Sequence, residues 1–78
     1  MVMETIFLHI EKKGRGGKTV TVLEGFTHDR SYLKELTSRL KQSCGTGGTL
    51  KDQKVEIQGD FRPRLREILL KEGFYVKG

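Results

Sequence analysis

The chain has 78 residues, 32% of them charged and 35% hydrophobic, and carries a formal net charge of +5 with a sequence pI near 9.6. A chain this short is expected to fold as one domain over 1–78, burying only about 60% of the surface its unfolded form exposes, which leaves little room for a deep substrate cavity. The one cysteine, Cys44, excludes an intrachain disulfide framework, no apolar run approaches the roughly 20 residues that cross a bilayer, and no secretory leader is visible, so a reducing, cytoplasmic setting is expected.

Residues 4 to 12 read as a first strand, with Ile6, Leu8 and Ile10 on one face and Phe7 and His9 on the other. Glu11-Lys12-Lys13-Gly14-Arg15-Gly16-Gly17-Lys18 follows, a basic, glycine-rich hairpin tip. The second strand covers 18 to 24; Val20 and Val22 share one of its faces, and Thr19, Thr21 and Leu23 the other. Asp29 is placed to cap a helix over 30 to 43, whose inward stripe is Leu33, Leu36, Leu40 and Cys44, with Gly45 as its left-handed stop. Strands at 49 to 51 and 54 to 59 flank an Asp52-Gln53 turn. A second helix follows, capped by Asp60, with Pro63 in its first turn, Leu65, Ile68 and Leu69 inward and Gly73 at its end. Phe74-Tyr75-Val76 adds a last strand. The ββαββαβ order predicts an α+β fold: a two-layer α/β sandwich with a mainly antiparallel sheet and both helices on one face.

The basic tip is the strongest functional signal. Glycines allow close approach to a nucleic-acid groove, and Lys12, Lys13, Arg15 and Lys18 can neutralise phosphates. The competing reading is a solvated hairpin tip whose charges only deter edge aggregation. A phosphate-binding P-loop is excluded, because Lys18-Thr19 leads into a strand and not a helix. His9, His28 and Cys44 have no metal-ligand spacing. Cys44 sits at a helix C-terminus, where the dipole opposes thiolate formation. No carboxylate pair stands out for acid–base work. The chain is therefore expected to be neither an enzyme nor a holder of a metal or cofactor. Phe61, Arg62, Arg64 and Arg66 cluster at the start of the second helix, where cations oppose the dipole and favour an external anionic partner.

Read together, the segments Gly14 to Val22 with Gly25-Phe26, Leu36 to Lys41 with Cys44 to Asp52, Val55 to Asp60, and Gly73-Phe74 resemble the translation initiation factor one family. The likeness spans nearly the whole chain, in order, and its glycine-rich wording is closer to bacterial and archaeal members than to the eukaryotic factor. Thr46 stands where many prokaryotic relatives have a second cysteine, and the family's long N-terminal tail is nearly absent.

The resemblance implies the same two-layer fold and a monomeric factor that binds the small ribosomal subunit near the peptidyl site. That factor promotes accurate start-codon selection; the alternative is a general RNA- or ribosome-binding translation regulator with no start-codon role. Its partners would be ribosomal RNA and, around it, initiator tRNA and other initiation factors. Carried onto this chain, Lys12, Lys13, Arg15, Gly16, Gly17 and Lys18 become the loop that approaches the decoding region, and Lys34 and Lys41 become helix contacts.

Overall fold

The structure is a computed structural model that describes residues 4–14 and 16–78, without the side chain of Lys13. In chain order its elements are β1 (Thr5–Lys13), β2 (Lys18–Glu24), α1 (Arg30–Cys44), β3 (Gly48–Lys51), β4 (Lys54–Gln58), α2 (Arg62–Lys71) and β5 (Tyr75–Lys77). They form one five-stranded sheet in the order β3-β4-β2-β1-β5. All neighbours are antiparallel except β1 and β5, which run parallel with Thr5 opposite Tyr75. The expected α+β order and sheet are present.

Both helices cover the same face. α1 packs over β3 and β4, and α2 over β1 and β5. Ile6 and Leu8 of β1, Leu23 of β2, and Val55 and Ile57 of β4 meet Leu33, Leu36 and Leu40 of α1 and Leu65 and Leu69 of α2 in one buried cluster. Strand alternation sends every second residue to this layer, and the three- and four-residue spacing in the helices answers it.

Val20 and Val22 occupy the other face. Register pairs Val22 with His9 and Glu56, and Val20 with Glu11 and Gln58, all on the side without helices. Both valines are nonetheless buried, at 8% and 1% exposure. In this register their neighbours on both flanking strands are longer polar side chains, whose stems shield the apolar centre.

The caps follow the sequence with one exception. Asp29 accepts from the Tyr32 amide at 2.9 Å, and Gly45 adopts the left-handed conformation that ends α1. At α2 the cap residue is Phe61, which has no side-chain cap bond. Asp60, expected to cap, lies one position too early: its carboxylate accepts from the Arg62 amide at 3.4 Å and takes the Arg62 guanidinium at 3.0 and 3.1 Å. The charged fork offers that carboxylate stronger hydrogen bonds than a helix amide does.

Candidate nucleic-acid interface

The basic tip is an arm, not a loose loop. Pairing between β1 and β2 continues through Lys12 opposite Thr19 to Lys13 opposite Lys18, leaving four residues to turn. Gly14 and Gly17 have φ of 78° and 62°, a conformation costly to any residue with a Cβ, and the Gly17 N–H donates to Gly14 O at 3.2 Å. The β2–β4 pairing stops at Val20 opposite Gln58, so the β1–β2 ribbon runs on past the body of the sheet. This projection accords with a longest dimension of 42 Å against 23 and 20 Å for the other two.

Strand alternation decides how the arm displays its charge. Lys12 pairs with Thr19 and Lys18 pairs with Lys13, so Lys12 and Lys18 lie on opposite faces of the ribbon. Both are exposed, and neither forms an ion pair among the described residues. Gly16 and Gly17 are exposed at the turn. Arg15, expected to join this cluster, lies outside the described residues.

The same end of the sheet collects other elements. Gly59 donates its N–H to Thr19 O at 2.8 Å, bringing the start of α2 to the base of the arm. Gln58 donates to Gly47 O at 3.0 Å, which places the end of α1 there as well. Lys41, in the last turn of α1, therefore lies at the arm's end of the sheet. Its stem packs on Gly48, where an added Cβ would stand 3.1 Å from Lys41 Cγ and 2.7 Å from Glu56 O. Lys34 does not join it: seven residues earlier on α1, it sits about 10 Å further from that end.

Of the three arginines opening α2, Arg62 is neutralised by Asp60 and Arg66 donates to the Gly78 carbonyl. Arg64 remains exposed and without an ion pair among the described residues, at the arm's end of the molecule. The sequence signal for it, arginines against a helix dipole, could not separate it from its two neighbours. Separation depends on which carboxylate and which carbonyl the fold brings within reach.

The remaining titratable groups are engaged elsewhere. His9 lies between Glu11 and Glu24, at 2.9 and 3.2 Å, on the helix-free face. His28 meets Glu4 at 2.8 Å and stacks on Tyr32 at the far end of the sheet, where Gln53 of the β3–β4 turn donates to His28 O at 3.0 Å. Cys44 is half-buried, and burial pushes its thiol pKa up, with Arg64 pulling weakly the other way. Among the described residues no group of three or more His, Cys, Asp or Glu is arranged to hold a metal, and no helix is long and apolar enough to cross a membrane.

Comparison with known proteins decides the family. Residues 3–75 match the family described as Translation initiation factor SUI1. The chain belongs to this family. Among its relatives is the protein translation factor SUI1 homolog of Sulfolobus acidocaldarius, 44% identical over 75 residues, covering 95% of this chain and 76% of the relative. The Methanocaldococcus jannaschii homolog is 44% identical over 71 residues, covering 91% and 68%. An uncharacterized protein of Synechocystis is 42% identical over 74 residues, covering 95% and 67%. The SUI1 family is one of translation initiation factors and not of enzymes, and this member is of the archaeal and prokaryotic type expected from its glycine-rich segments.

Proposed function

We propose that this SUI1-family protein acts in the cytoplasm as a monomeric, single-domain factor that binds the small ribosomal subunit near the peptidyl site and promotes accurate start-codon selection. The observation that carries the reading is the projecting arm, with Lys12 and Lys18 on opposite faces and no acidic partner among the described residues. A ribbon charged on both faces suits insertion between two phosphate walls better than docking on one. Lys13, Arg15, Gly16 and Gly17 complete the arm, and Lys41 supplies a helix contact beside it. Lys34 extends the contact along α1. The mechanism is positional: the arm anchors on ribosomal RNA, and the bulk of the sandwich behind it disfavours a mispaired initiator tRNA. Contacts with other initiation factors fall to the surfaces the RNA leaves free.

The test combines Lys12, Lys13, Arg15 and Lys18 in one charge reversal to glutamate. Co-sedimentation with purified small subunits should be lost while the circular dichroism spectrum is unchanged. Undiminished sedimentation would overturn the reading. A wild-type protein that binds subunits yet leaves initiator tRNA equally stable on matched and mismatched start codons would be a general ribosome binder instead.

A further inference from the structure

A notch opens where the arm leaves the sheet. β4 ends at Gln58, opposite Val20, whereas β2 extends two residues further toward the tip. Gly14, Lys18, Thr19, Val20, Gln58 and Gly59 line the resulting groove of about 460 Å³, a size that accommodates a small ligand. Val20, 8% exposed between the stems of Glu11 and Gln58, forms its floor, and two of the lining residues are glycines, so little side-chain bulk obstructs it. Gln58 uses its backbone N–H on Gly47 O, but its exposed side-chain amide makes no hydrogen bond among the described residues. Lys18 adds an exposed cation. Glu11 flanks Val20 on β1, where its carboxylate is held by His9 at 2.9 Å.

These groups match the three parts of one nucleotide. A base has an apolar face, a hydrogen-bonding edge and an attached phosphate. An amide can both donate and accept, so it can read a base edge, but only one not already paired. We propose that the notch holds a single unpaired RNA nucleotide: its base against Val20, its edge on the Gln58 amide and its phosphate on Lys18. The inference rests on the reading that the arm meets RNA, and it adds a selectivity for unpaired sequence that charge alone does not provide.

Fluorescence anisotropy with a short single-stranded RNA of mixed sequence, and with the same sequence as a duplex, tests it. Wild-type protein should prefer the single strand at equal salt. Gln58→Ala should weaken single-strand binding about fivefold, as one net hydrogen bond is worth. Gln58→Met, which keeps the length and apolar stem, should do the same. Duplex affinity and the salt slope should not change in either variant, because no charge is removed. A wild-type protein without single-strand preference would overturn the proposal, as would two variants indistinguishable from wild type. Sedimentation of the same variants with small subunits separates the two readings. Loss of subunit binding in the charge-reversed arm reports on the proposed function, and loss of single-strand preference at Gln58 reports on the notch.

Discussion

The hydroxyl of Thr21 donates to the carbonyl oxygen of Gly59 at 2.7 Å, joining the middle of β2 to the turn that opens α2. The hydroxyl oxygen of Thr21 in turn accepts from the Phe61 amide at 3.2 Å, and Thr21 is fully buried. One threonine thus satisfies a donor and an acceptor on the turn that also forms part of the notch. Thr21→Val keeps the shape and removes both bonds, leaving a carbonyl and an amide without their side-chain partner. We expect a loss of about 1–3 kcal/mol. In a domain of this size each kcal/mol lowers Tm by about 4–8 °C. Differential scanning calorimetry should show the drop, and Thr21→Ser should recover part of it. A Thr21→Val protein as stable as wild type would contradict the assignment.

The cations should separate in salt titrations against single-stranded RNA. Removing one phosphate contact lowers the magnitude of the slope of log K on log salt by about 0.7. Lys12→Ala, Lys18→Ala, Lys41→Ala and Arg64→Ala are each expected to do so. Lys34→Ala should have a smaller effect, because Lys34 lies away from the arm along α1. Lys54→Ala is the control: Lys54 pairs with Glu24 at 3.6 Å near the β3–β4 turn. Equal slopes for Lys12→Ala and Lys54→Ala would remove the arm from the interface.

Gly48 admits no side chain. A Cβ there would meet Glu56 O at 2.7 Å, Ile57 Cδ1 at 2.9 Å and Lys41 Cγ at 3.1 Å. The backbone oxygen cannot step aside without disturbing the β3–β4 ladder, so α1 or β3 must shift. Gly48→Ala should destabilise by about 1–3 kcal/mol, as overpacking does. Urea denaturation checks this, with an unchanged midpoint as the contrary result. Because Lys41 rides on Gly48, RNA affinity should fall along with stability.

Cys44 should be a slow nucleophile. Burial raises its pKa, so less thiolate is present at a given pH than for an ordinary thiol. Reaction with a chromogenic disulfide at mildly alkaline pH should be slower in the folded protein than after unfolding in guanidinium. A thiol whose folded pKa exceeds its unfolded pKa adds stability that is complete below the unfolded value and fades as pH rises through the folded one. Cys44→Ser should therefore flatten the alkaline limb of the stability profile. Reaction at equal rates in both states would show the thiol to be unprotected.

Asp60 acts at the opposite end of the pH scale. Its hydrogen-bonded Arg62 holds the carboxyl below its usual value. A depressed folded pKa stabilises above the unfolded value and is lost as pH falls through the folded one. The pair is fully exposed, so salt should erase the effect. Chemical shifts of the Asp60 carboxyl should titrate lower in wild type than in Arg62→Gln. Coincident curves would contradict the pairing.

Element identity was legible because local signals and packing agree. Asp29 and Gly45 bracket α1 with cap chemistry that needs no tertiary partner. Asp60 carries the same chemistry, yet it stands one residue before the cap position, and its carboxylate accepts from both the Arg62 amide and the Arg62 guanidinium. The faces of β1 were equally plain, since Ile6 and Leu8 alternate with polar or exposed positions. β2 was not, because Val20 and Val22 match the apolar character of Leu23. Only the register with β1 and β4 shows that the valines sit under polar neighbours and that Thr21 points into the core. The cationic arm was visible as composition. Its division into two charged faces depends on a pairing register, and the isolation of Arg64 on contacts between residues distant in sequence.

The parallel pairing of β5 with β1 sets an order on the chain's own synthesis. Tyr75, the partner of Thr5, is made seventy positions after it. Until then one edge of β1 has no strand beside it, and Phe74 cannot take its buried place against Phe26 at 5.5 Å. The arm and its turn, by contrast, close within a few residues of each other. A growing chain can therefore form the β1–β2 hairpin before it can complete the sheet behind it, which waits for β5. Contacts of such long separation are the slow ones to form. Truncation before Tyr75 should leave the most local, most basic part of the molecule on an unfinished body.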